Sequence, residues 1–144
     1  MTDIREARAE DAAGLVALLA SLGYPGAEAF IGPRVHQLLS HPDSVLLVHD
    51  TGSGIRGFIS LHFIPQLALA GDFCRISYLC VADGSQGQGI GTTLEAAAVA
   101  RARARGCDRI EVHCHARRTA AHRFYEGHGY EDSPRYFVKA CQSA

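Results

Sequence analysis

The chain lacks any apolar run near the ~20 residues that a bilayer-spanning helix needs. It lacks a charge excess as well. Lys and Arg total 14 against 15 Asp and Glu, a formal net charge of −1, so no whole-chain case exists for a nucleic-acid or anionic-membrane partner. No C-x-x-C pair occurs among the five cysteines, Cys74, Cys80, Cys107, Cys114 and Cys141. Their odd number, with several in strand-like segments, predicts buried free thiols rather than a disulfide framework. Met1 to Glu6 is charged at once, which predicts no signal peptide and a cytoplasmic protein. No repeat, low-complexity tract or linker interrupts the sequence. Residues 1–144 therefore read as one domain, long enough for a real core.

What is present is ordinary globular material, 47% hydrophobic and 20% charged, organised around Gln86-Gly87-Gln88-Gly89-Ile90-Gly91. Before it, Phe73 to Val81 reads as a buried strand, aromatic and β-branched with a nearly apolar end. After it, Thr92 to Arg105 is rich in Ala, Leu and Arg and stops at Gly106, which predicts a helix with a C′ glycine. A glycine-rich turn leading from a strand into a helix N-terminus is an anion site. Its N–H groups are free and the helix dipole favours negative charge. A Walker loop would need a lysine that is absent, and the dinucleotide fingerprint would need glycine at Thr92 and an early place in the chain.

In chain order the pattern predicts a strand at Ile4 to Arg8, a helix opened by Glu10-Asp11, and a turn at Gly23 to Gly26. A second helix runs to Ser40, and a hairpin joins Ser44–Asp50 to Ile55–Phe63. After the glycine turn and its helix come a strand at Arg109–Cys114, a short helix at Thr119–Gly127, and a last hairpin pairing Tyr130–Glu131 with Tyr136–Lys139. Hairpins early in the order exclude a doubly wound parallel sheet.

Two segments carry a resemblance. Gln86, Gly89 and Gly91 fit Q/R-x-x-G-x-G/A, and Ala121 to Tyr130 fits A-x-x-F-Y-E-x-x-G-F/Y. On these the chain resembles the Gcn5-related N-acetyltransferase (GNAT) family over nearly its whole length. The resemblance implies an α/β fold, a mixed, mostly antiparallel seven-strand sheet flanked by about four helices. It implies acetyl-coenzyme A as cosubstrate, a small-molecule amine as acceptor, and a homodimer. Gln86, Gly87, Gln88, Gly89, Ile90, Gly91 and Thr92 would hold the pyrophosphate, and Leu79, Cys80 and Val81 would pair with the pantetheine arm by main chain. Tyr125 would meet the coenzyme sulfur as general acid, and Arg118 would help with phosphates.

The chain departs from the family pattern at two places. Ser77 stands where many members carry Glu, and Arg118 where many carry Asn, so the base is open. Tyr78, His113 and His115 are candidates, perceived partly from the alternate spacing of the two histidines on one strand face. With no third ligand indicated, no metal is expected. Tyr24, Phe30, Arg34, His62 and Arg135 are candidates for lining the acceptor pocket, and the two arginines suit an acidic acceptor. A loose likeness to aminoalkylphosphonate acetyltransferases runs through Leu22 to Pro25, Leu61-His62 and Tyr136 to Lys139. Two alternatives stay open at this level: an acetyl-coenzyme A-binding sensor without turnover, and a protein N-acetyltransferase.

Overall fold

The computed structural model describes residues 3–114, 118–133 and 136–142. The chain divides into two compact units, residues 1–112 and 113–144.

The first unit is a five-stranded sheet in sequential order: β1 (Ile4–Glu6), β2 (Ser44–Asp50), β3 (Ile55–Ile64), β4 (Phe73–Val81) and β5 (Arg109–Val112). The first four strands pair with one another antiparallel, and β5 runs parallel to β4. Alternation along each strand sends side chains to opposite faces. On one face Leu46, Val48, Phe58 and Cys80 form a buried cluster with Leu15 and Leu18 of α1 (Ala12–Leu22) and Val35 of α2 (Ile31–Ser40). Against the sheet also packs α3 (Ile90–Ala104), through β3 and β4. Its Leu94 and Ala98 are fully buried.

Gly57 governs how closely α3 approaches. It pairs with Val81 across the β3–β4 ladder. A Cβ at Gly57 would lie 2.8 Å from the Cys80 carbonyl oxygen and 3.1 Å from Ile90 Cγ2. The start of α3 therefore rests on bare backbone beside the end of β4. At its other end α3 stops as its sequence predicts. Gly106 has φ +70°, its N–H bonds the Arg103 carbonyl, and Cys107 N–H reaches back to Ala102, the reciprocal pair of a Schellman cap.

The second unit contains α4 (Thr119–Gly127). Here the expected seven strands are corrected to five among the described residues. Tyr130 does not begin a strand because its main chain completes the cap of α4: its N–H bonds the Tyr125 carbonyl at 3.0 Å. Tyr136–Lys139 forms no strand either, and Tyr136, Phe137 and Val138 are exposed. Strand β5 ends at Val112, two residues short of the predicted Cys114, so His113 is not on a strand. All five cysteines are free, with Cys74 and Cys80 buried. Burial pushes the Cys74 thiol up to about 12, which suits an inert core group.

Candidate active site

Gln86, Gly87 and Gln88 form an exposed turn after β4. Gly87 has φ +83° and Gly89 φ +80°, a left-handed backbone that L side chains adopt at a cost of about 1–2 kcal/mol. A Cβ at either would meet nothing within 4 Å, so these glycines serve the path of the chain and not tight packing. Gly89 is the residue that caps α3, and no side chain caps it. Ile90 is buried under the turn, and Thr92 is exposed in the first helical turn. Behind the turn, buried Ser85 is tied by its N–H to the Ala82 carbonyl. A pinned, open loop whose helix start lacks a side-chain cap has the donors and the room for a pyrophosphate.

Strand β4 changes character half-way. Its register with β3 shifts between Ser60 and Leu61: Ser60 faces Tyr78 while Leu61 faces Ile76, leaving Ser77 as the extra residue of a bulge. Its ladder with β5 covers only Phe73 to Ile76 and stops at the same point. Leu79, Cys80 and Val81 thus lie beyond the β5 ladder. The Cys80 side chain is directed inward, its Sγ 3.3 Å from the Leu18 carbonyl, so only its main chain is offered at the edge.

The bulge also alters the face toward α1 and α2. Ser77 and Tyr78, adjacent in sequence, both turn to it. Tyr78 meets the Tyr24 ring edge to face at 5.5 Å. Ser77 Oγ lies 3.1 Å from His62 Nε2 and 3.2 Å from the Ser60 carbonyl. His62 Nδ1 lies 3.2 Å from Ser44 Oγ. Burial, with His41 and Arg75 adding to it, holds the His62 imidazole below its usual pKa. His62, Ser44, Arg34, His41 and Asp43 share the wall of a cavity of about 500 Å³. Arg34 donates to Gln37 at 2.7 Å and forms no ion pair among the described residues. Phe30 is half-exposed just before α2.

In the second unit Tyr125 is half-buried on α4. Its ring meets Phe124 at 5.4 Å and Tyr130 at 5.5 Å, both edge to face. Arg118 is exposed at the N-terminal cap of α4. His113 is exposed and its ring lies 4.3 Å from Tyr136. His115 and Arg135 lie outside the described residues.

The structure therefore joins Tyr24 with Tyr78, and His62 with Arg34 around one cavity. The sequence reading missed Ser44 and His41 as members of that wall. The signal was available in part: Ser44 and His62 fall opposite each other in a β2–β3 hairpin.

The profile of the acetyltransferase (GNAT) family matches residues 15–130. This chain belongs to the GNAT family. It is 31% identical to the aminoalkylphosphonate N-acetyltransferase of Salmonella typhimurium over 96% of its own length and 90% of that protein's. Among solved structures it resembles a transcriptional regulator from Bacillus halodurans C-125, with TM-score 0.89 and 26% identity over 97% of this chain and 99% of that one. It also shares the fold of AAC(6')-Iy, solved with the bisubstrate analogue CoA-S-monomethyl-acetylneamine, with TM-score 0.84 and 13% identity over 99% of each chain. GNAT enzymes use acetyl-coenzyme A, and this GNAT protein is an acetyl-coenzyme A-dependent acyltransferase.

Proposed function

We propose that this protein transfers acetyl from acetyl-coenzyme A to the primary amine of a small molecule that also carries an acidic group, by direct attack in a ternary complex. The observation that carries the reading is the change in β4 at Ser77. The β5 ladder stops there, leaving Leu79–Val81 beyond it beside the open glycine turn, and Ser77 meets His62, which lines a cavity. The match of the family profile across both units supports treating residues 1–144 as one acetyltransferase domain. The 31% identical relative, an aminoalkylphosphonate N-acetyltransferase, supports an amine with an anionic tail.

In this reading Gln86 to Thr92 holds the pyrophosphate by main-chain donors, helped by Arg118, and acetyl-coenzyme A supplies the activated acetyl group. The edge at Leu79–Val81 pairs with the pantetheine arm and offers N–H groups to negative charge developing on the acetyl oxygen. Tyr125 hydrogen-bonds the sulfur as it leaves. A thiol of pKa ~8.5 is the stronger acid than a phenol of ~10, so this hydroxyl steadies the thiolate more than it protonates it early. Tyr24 and Tyr78 line the approach of the acceptor, and Arg34 faces its acidic end. An amine of pKa ~10.4 is neutral in only about one molecule in 2,500 at pH 7, roughly 4.6 kcal/mol uphill, so proton removal is part of the cost of the reaction.

A second reading, a sensor that binds acetyl-coenzyme A without turnover, draws on the serine at 77 and on the similarity to a transcriptional regulator. A cytoplasmic location and a homodimer belong to the proposal as well. Leu67 and Leu69, exposed in the loop before β4, supply apolar surface for a second copy, and sedimentation equilibrium would test it. Among the described residues no helix is long and apolar enough to cross a membrane. The function is tested by titrating acetyl-coenzyme A and following thiol release with a panel of amines, aminoalkylphosphonates and amino acids included. Turnover on one amine class supports the enzyme; saturable binding with no turnover on any amine supports the sensor.

A further inference from the structure

The reaction proposed above needs a group to take the proton that the attacking nitrogen sheds, and β4 carries no carboxylate from Phe73 to Val81. We propose that Ser77 and His62 form a proton relay, in which the Ser77 hydroxyl receives the proton from the acceptor's nitrogen and passes its own to His62 Nε2. The inference rests on the acetyltransferase reading and adds to it the identity of the base.

Each protein link of the relay is within hydrogen-bond distance. The bulge turns Ser77, half-buried beside exposed Tyr78, toward His62, which lines the cavity. Its Oγ lies 3.1 Å from His62 Nε2, and His62 Nδ1 lies 3.2 Å from Ser44 Oγ. Both partners are hydroxyls, which can donate or accept. In the neutral ring, Ser77 donates to Nε2 while Nδ1–H donates to Ser44. In the imidazolium both ring N–H groups donate, and the Ser77 hydroxyl turns to the Ser60 carbonyl 3.2 Å away. Proton uptake thus requires the rotation of one hydroxyl and leaves no buried polar atom of the network unpaired.

The proton count closes. The neutral amine attacks with its lone pair and forms the C–N bond, and the nitrogen becomes positive. One N–H bond breaks, its electrons stay on nitrogen, and the proton moves to Ser77 Oγ as the Ser77 proton moves to Nε2. The imidazolium then loses its proton to solvent in the cavity. The charged groups that face His62 are Arg34 from α2, His41 at the C-terminal cap of α2, Asp43 ahead of β2, and Arg75 from β4. Arg75 is itself held by Glu111 of β5. Burial is the largest influence on the ring and keeps it neutral, hence able to accept, at pH 7.

The test is the pH dependence of kcat/KM for acetylation of 2-aminoethanesulfonate, an amine whose acidic group stays ionised throughout, read as thiol release. Free amine alone gives a slope of about one in log kcat/KM below the amine pKa. The relay adds a second proton, so the wild-type slope steepens to about two below the His62 pKa, which lies under the usual ~6.5. His62→Gln and Ser77→Ala are expected to keep a slope of one throughout and to lose about 10²-fold in rate at pH 7. Ser77→Thr, which keeps the hydroxyl, restores the steep limb. Acetyl-coenzyme A binding and circular dichroism check the fold of each variant. If His62→Gln does not fold, the Ala and Thr variants at Ser77 give the same decision. A wild-type profile with a slope of one, or a steep limb that survives in Ser77→Ala, overturns the relay while leaving the enzyme intact. No turnover by the wild-type protein on any amine overturns the acetyltransferase reading and the relay together.

Discussion

The main-chain N–H of Tyr130 bonds the carbonyl of Tyr125 at 3.0 Å, and the two rings meet edge to face at 5.5 Å. These are the hydrogen bond and the apolar contact of a single Schellman cap, with Gly129 at φ +91° between them. The cap that ends α4 therefore also orients the side chain we assign to the leaving sulfur. Tyr125→Phe is expected to lower kcat by about 10²-fold, since it removes the hydroxyl and keeps the ring contacts. Tyr130→Ala is expected to lower kcat less, by about 10-fold, by freeing the Tyr125 ring. Steady-state kinetics on both variants checks this; an unchanged kcat in Tyr125→Phe removes the assigned role.

Gly89→Ala puts a Cβ on a left-handed residue at φ +80° in open space. The strain is about 1–2 kcal/mol, and it relaxes by moving the turn that presents the α3 N-terminus. The expected result is a small fall in Tm with at least a 10-fold rise in the Kd for acetyl-coenzyme A, measured by calorimetry.

Gly57→Ala acts from beneath. The new Cβ meets the Cys80 carbonyl oxygen at 2.8 Å, which is backbone and has little freedom to yield. Overpacking of this kind costs about 1–3 kcal/mol. We expect a lower Tm together with weaker acetyl-coenzyme A binding, because Ile90 at the start of α3 lies against the same spot at 3.1 Å. Chemical denaturation and calorimetry on one variant read both effects.

Arg5 ties the edge of the first unit together, donating to both Asp11 oxygens at 2.8 and 2.9 Å and to Asp50 at 2.9 Å. The Arg5 hydrogen bonds hold the Asp11 carboxyl below its usual range, and the Arg8 N–H adds to this. A folded pKa below the unfolded ~3.9 means the contribution is fully present above that pH and is lost as pH falls through the folded value. Asp11→Asn should cost about 2 kcal/mol at pH 7. The gap between variant and wild type should narrow below about pH 4. Urea denaturation at pH 7 and pH 3 measures it.

Much of this was legible in the chain before folding. Phe73–Val81 and Thr119–Gly127 form the predicted elements to the residue, because each is a continuous propensity signal bounded by turn residues. The glycine turn was legible because left-handed backbone selects glycine. The last hairpin was misread, since Tyr130 has strand-like chemistry but its N–H is used by the α4 cap, a tertiary use that composition does not encode. The Ser77 bulge was hidden for a similar reason. A one-residue register shift is a property of two strands at once, so the joining of Ser77 with His62 could not be read from either segment alone. His113 lost its place on a strand when β5 stopped at Val112.

The most direct test of the account is thiol release from acetyl-coenzyme A in the presence of 2-aminoethylphosphonate, with the acetylated product identified by mass. The account predicts release that saturates in both substrates and depends on the amine. A protein that neither binds acetyl-coenzyme A nor releases thiol with any amine would contradict it.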